Sequence, residues 1–195
     1  MKKQSFLLAV ITLVIGLISV LFLPLKLDES GVDFIKKHEA FASCPYRDQG
    51  GKWTIGYGMT HYYDGSAVSG SDDCLGKSEA DFHLRRILRE YEWTVHDNVE
   101  VSLTQAQYNA LVSFTYNVGV NAFERSGLLR RVNNDPTDPL IVKEFYKWVY
   151  VKGRVSRGLR YRREKEIELY FSQPYLFPER EPVVSYFKPD TLLIP

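Results

Sequence analysis

The sequence predicts an α+β domain, mostly helical, with a small antiparallel sheet near its start and a helical core. Three observations carry this. Apolar residues recur at helical spacing along most of the chain after residue 77. One Gly-rich stretch with aromatic and β-branched neighbours interrupts them early. The composition, 45% hydrophobic with 13 Tyr, 11 Phe and 3 Trp in 195 residues, supplies large side chains for one packed core.

The first element stands apart. Ser5 to Leu25 carries no formal charge and is dominated by Leu, Ile, Val and Phe. A helix of this length spans roughly 30 Å, the thickness of a hydrocarbon core. Lys2 and Lys3 precede it, and Lys26, Asp28 and Glu29 follow, which favours an N-terminus inside and the remainder outside. The competing reading is a cleaved secretory signal. Against that, the run is long and its exit, Leu23-Pro24-Leu25-Lys26, has no small-x-small site. Residues 1–26 are therefore expected to be an uncleaved anchor, holding the chain in the host inner membrane through residues 5–25. Either reading exports the body of the protein. Export makes a Cys44–Cys74 disulfide the expected state of the two cysteines.

Ser30 to Asp33 is a candidate capping box for a short helix through Phe34, Ile35 and His38. Tyr46 to Met59 reads as a hairpin turning at Gly50-Gly51, and Asp64 to Gly76 as loop. Ser78 is the expected cap of a long helix with Leu84, Ile87, Leu88, Tyr91 and Val95 inward. Leu103-Thr104 opens another, burying Ala106, Ala110, Leu111 and Phe114 and ending near Gly119. A single helix is expected over Ala122–Val132, then two more near Pro139–Tyr150 and Leu159–Phe171. Beyond this, Pro174, Pro178, Pro182, Pro189 and Pro195 exclude a regular helix, so residues 173–195 form a tail. The catalytic domain is expected to span residues 27–172.

Lys plus Arg number 25 against 24 acids, a balance that points to no particular partner, and an exported chain without a base-stacking module argues against nucleic acid. The arginines from Arg154 to Arg163 are expected to pair with local acids such as Glu164 and Glu166. Trp53, Trp93 and Trp148 are expected in the core, and His38 on a solvent-facing helix position.

Chemistry enters with Glu39, Asp48 and Thr54. Cleaving a glycosidic bond needs one carboxylic acid to protonate the leaving oxygen and a second group across the cleft to handle water or act as nucleophile. A helix ending at Glu39, followed by a hairpin carrying Asp48 and Thr54, can present both. By spacing alone two solvated surface carboxylates are the favoured reading, because acids nine apart are common.

The surrounding residues narrow this. Glu39-x8-Asp48-x5-Thr54-Ile-Gly-Tyr-Gly58 resembles the active-site signature of the T-even-phage lysozyme family of glycoside hydrolases. Leu103 to Gly119, Ala122 to Leu129 and Gly158 to Tyr170 resemble, in order, that family's central and closing helices. The resemblance implies a lysozyme-like fold and hydrolysis of the β-1,4 bond between N-acetylmuramic acid and N-acetylglucosamine in peptidoglycan. It implies Glu39 as general acid, Asp48 and Thr54 positioning the attacking water, an inverting outcome, and no metal or cofactor. Ala40 departs from the usual Gly after the acid, and Met59 from the usual His after Gly-Tyr-Gly. With the apolar N-terminus, the layout resembles the signal-anchor-release endolysins, and a monomer is the default. This anchor is richer in Leu, Ile and Val than is usual there, so its release is expected to be slow. A lytic transglycosylase, which needs no water-positioning pair, and a non-catalytic wall-binding protein are the alternatives.

Overall fold

The computed structural model describes residues 25–48 and 50–173. The expected tail apart from Gln173, and the expected anchor apart from Leu25 and Lys26, lie outside these residues. No helix among the described residues is long and apolar enough to cross a membrane.

Helix α1 (Glu29–Glu39) is capped by Asp28, whose side chain accepts from the Gly31 N–H at 3.0 Å. The expected Ser30 cap is therefore corrected: Ser30 donates its own hydroxyl to Asp28 at 2.7 Å. Strands β1 (Ala42–Arg47) and β2 (Trp53–Gly56) pair antiparallel, with Tyr46 opposite Thr54 and an irregular register between Ala42 and Tyr46.

The long helix α2 (Lys77–Asn98) begins before Ser78, with Gly76 at the cap position and no side-chain cap. Its entry is set instead by the Leu75 N–H bonded to the Ser43 carbonyl at 2.7 Å, beside the Cys44–Cys74 disulfide. Helix α3 (Gln105–Val118) follows a complete capping box between Thr104 and Gln107. Every residue from Ala106 to Thr115 on α3 is buried, so the other elements wrap it on all sides.

The single helix expected over Ala122–Val132 is two. Helix α4 (Val120–Glu124) ends, and Ser126 caps α5 (Gly127–Asn134) by accepting from the Leu129 N–H at 3.0 Å. Helix α6 (Ile141–Tyr146) stops short of Tyr150 because a second hairpin intervenes, β3 (Tyr150–Val151) with β4 (Arg154–Val155). Lys152 and Gly153 both take positive φ, 49° and 75°, as a two-residue hairpin turn requires. Helix α7 (Arg157–Tyr170) closes the domain against α3. Phe114 of α3 centres the aromatic packing, with Phe145 at 5.3 Å and Trp148 at 5.7 Å between ring centroids. Trp53 and Trp148 pack against the core as expected, whereas Trp93 is 62% exposed.

Candidate active site

Glu39 is the last residue of α1, where the helix dipole disfavours a carboxylate. The opposing charge comes from the far end of the chain. Arg162 on α7 donates to Glu39 Oε1 from Nη1, and from Nε to Glu166 Oε1 at 3.0 Å. The Arg162 side chain is 6% exposed and that of Glu39 18%. Ser113 on α3 donates to the same Glu166 oxygen at 2.8 Å, and Arg163 pairs with Glu166 and with Asn117. Arg160 pairs with Glu164, so this part of the basic run meets its expected acids. The branch from Arg162 to Glu39 spans 123 positions, so no local spacing announces it.

The other wall of Glu39 is backbone. Gly58 sits at φ +77°, and a β-carbon there would lie 2.7 Å from Glu39 Oε2. Gly58 holds this place because Ile55 and Met59 bond to each other on either side of the Gly56-Tyr57-Gly58 turn, each N–H to the other's carbonyl. Tyr116 of α3 donates to the Tyr57 carbonyl at 2.8 Å and fixes the turn from behind. Burial and the nearby Glu39 charge raise the Tyr116 phenol well above its ordinary pKa, so it remains a donor. Tyr91, across the cleft on α2, is pushed up to about 12, mainly by burial.

Asp48 follows β1 at the start of the tight turn. It accepts the Lys52 N–H on Oδ1 at 2.8 Å, and its own N–H bonds the Lys52 carbonyl at 3.0 Å. Thr54 is buried at 3% exposure and donates to that same carbonyl at 3.2 Å. Thr54 thus reaches Asp48 through Lys52. Glu39 and Asp48 line one cavity of about 290 Å³, whose other walls include Gly58, Tyr91, Tyr116 and Asn117; Thr54 stands behind the lining.

Two neighbours of Glu39 differ from expectation. His38 is half-buried, its Nδ1 bonded to the Phe34 carbonyl at 2.8 Å and its ring against Phe34, so it does not face solvent. Ala40 adopts φ 57° and ψ −176°, a conformation that favours glycine. Met59 is buried at 2% exposure.

A family model described as phage lysozyme matches residues 36–166. An endolysin of Acyrthosiphon pisum secondary endosymbiont phage 1 is 31% identical over 152 residues, covering 76% of this chain and 99% of that protein. An endolysin of Bacillus phage PZA is 37% identical over 76% of this chain, which spans 56% of that longer protein. A SAR-endolysin of Enterobacteria phage PA-2 is 30% identical over 67% of this chain and 76% of its own length. Among solved structures, an endolysin from Escherichia coli O157:H7 phage FAHEc1 superposes with a TM-score of 0.69 at 30% identity, covering 79% of this chain and 97% of that one.

Proposed function

This chain belongs to the phage lysozyme family, and from that premise we propose how its residues divide the work of cutting peptidoglycan. It is an endolysin-type muramidase, and its substrate is peptidoglycan. Glu39, in its acid form, protonates the leaving glycosidic oxygen between N-acetylmuramic acid and N-acetylglucosamine. Asp48 draws the proton from a water held with Thr54 on the opposite face of the sugar, and that water attacks the anomeric carbon with inversion. The observation that carries this reading is that Glu39 and Asp48 line one cavity from two separate elements. Thr54 and Lys52 hold the turn bearing Asp48, which keeps that carboxylate aimed while the bond breaks. Arg162 and Gly58 fix the Glu39 carboxylate from two sides.

The same reading places residues 1–26 as a signal-anchor in the host inner membrane and the catalytic domain in the periplasm as a monomer. The uncharged run from Ser5 to Leu25 supports it, as does similarity to a SAR-endolysin.

The test is turbidity loss of outer-membrane-permeabilised Gram-negative cells, using the native chain and Glu39→Gln. Clearing by the native protein alone, with a product of inverted anomeric configuration, is the expected result. Equal clearing by both removes Glu39 as the acid, and an anhydro product replaces hydrolysis by transglycosylation.

A further inference from the structure

A second cavity, about 400 Å³, lies away from the Glu39–Asp48 cleft, between the start of the described chain and α2. Leu25, Lys26, Arg89, Trp93 and His96 contribute to its lining. Its Glu92 carboxylate accepts the Leu27 N–H at 2.6 Å, which pins the chain to α2 where the apolar segment ends. Phe82, Arg86, Arg89, Trp93 and His96 follow one another along α2 at alternating steps of four and three, and so form one stripe. All five are exposed, Phe82 by 46% and Trp93 by 62%. The Arg86 guanidinium stacks over Phe82 at 4.3 Å and over Tyr63 at 4.9 Å. No ion pair holds Arg86 or Arg89 among the described residues. Four acids of α2 flank the stripe: Glu79, Glu90, Glu92, and Asp97, which lies 3.1 Å from His96.

Ile87 and Tyr91 of the same helix line the cleft. Arg89 and Trp93 stand two residues beyond them, about 160° round the axis. The stripe therefore looks away from the catalytic cavity. Exposed Phe and Trp among arginines are the composition of a helix face lying at a bilayer surface, where rings enter the headgroup layer and cations meet phosphates.

We propose that this outer face of α2 rests on an anionic phospholipid bilayer while the N-terminal segment spans it, leaving the cleft open toward the wall. The proposal rests on the anchored reading given above. Two observations choose a bilayer as the occupant: the apolar segment ends at this groove, and the stripe beside it sets exposed Phe82 and Trp93 among Arg86 and Arg89, which no ion pair holds among the described residues.

The test uses the full chain in vesicles of phosphatidylethanolamine and phosphatidylglycerol carrying lipids brominated near the headgroup. Trp93 emission is quenched on docking while Trp53 and Trp148 pack against the core, so Trp93→Phe removes most of the quench, and Arg86→Gln with Arg89→Gln lowers it in anionic vesicles. Protein that pellets after a carbonate wash, with quenching unchanged in Trp93→Phe, overturns the docking and keeps the anchor. Protein left in the supernatant overturns both. If the variants lose retention on purified cell walls and keep native quenching, the stripe is a wall-binding surface and the proposal is wrong.

Discussion

Gly58 presents its bare α-carbon to the carboxylate of Glu39, so closely that a methyl group would stand 2.7 Å from Oε2. Gly58→Ala must push the carboxylate aside or move the turn, and at φ +77° it also strains the backbone. We expect a loss of about tenfold or more in kcat, with stability lowered by about 1 kcal/mol. Steady-state kinetics on cell-wall substrate beside thermal melts would read both. Native kcat in the variant would mean that Glu39 is not held from this side.

Arg162 joins the cleft to the interior, and a lysine cannot reproduce its fork between Glu39 and Glu166. Arg162→Lys leaves Glu166 short of one partner at a site with no solvent access. Breaking a buried pair of this kind costs about 3 kcal/mol. Urea unfolding measures that loss, and kcat should fall further than KM rises, because Glu39 loses its orientation. A variant of native stability would show that Arg163 and Ser113 together satisfy Glu166.

Ala40→Gly should stabilise the protein. Ala40 is exposed, so its methyl group buries little, while its φ of 57° costs on the order of 1 kcal/mol. A melting temperature raised by a few degrees is expected. A lowered one would mean that added freedom in the unfolded chain outweighs the relief.

Asp28 ties a helix cap to pH. Burial alone would raise its carboxyl, but hydrogen bonds from Ser30, the Gly31 N–H and Asn109 outweigh burial and hold it below its ordinary value. Its contribution is present above the unfolded pKa of about 4 and is lost as pH falls through the lower folded value. Asp28→Ala should cost about 1 kcal/mol at pH 7, with the gap from native narrowing below pH 4. A gap constant down to pH 2 would show that the charge on Asp28 contributes nothing.

What was legible in the sequence was local. Thr104 and Gln107 sit three apart and cap α3 as their types dictate. The hairpin after Glu39 declared itself through its glycines and aromatics, and Asp48 came with it. What hid was set by distant partners or by a few residues of turn. Arg162 looked like one of several cations because its partner Glu39 lies far back in the chain. Trp93 followed the apolar rule on average and broke it at one position, where α2 faces outward. The second hairpin escaped because its strands are two residues each, too short to show alternation, though Lys152-Gly153 marks its turn. Thr54 came with the same hairpin, and its hydroxyl also braces the turn that carries Asp48 through the Lys52 carbonyl.

The strained alanine has a further meaning in the language of codons. Every alanine codon becomes a glycine codon by changing its middle base, so relief at position 40 lies one nucleotide away. Directed evolution for heat resistance should therefore find Ala40→Gly among its first gains.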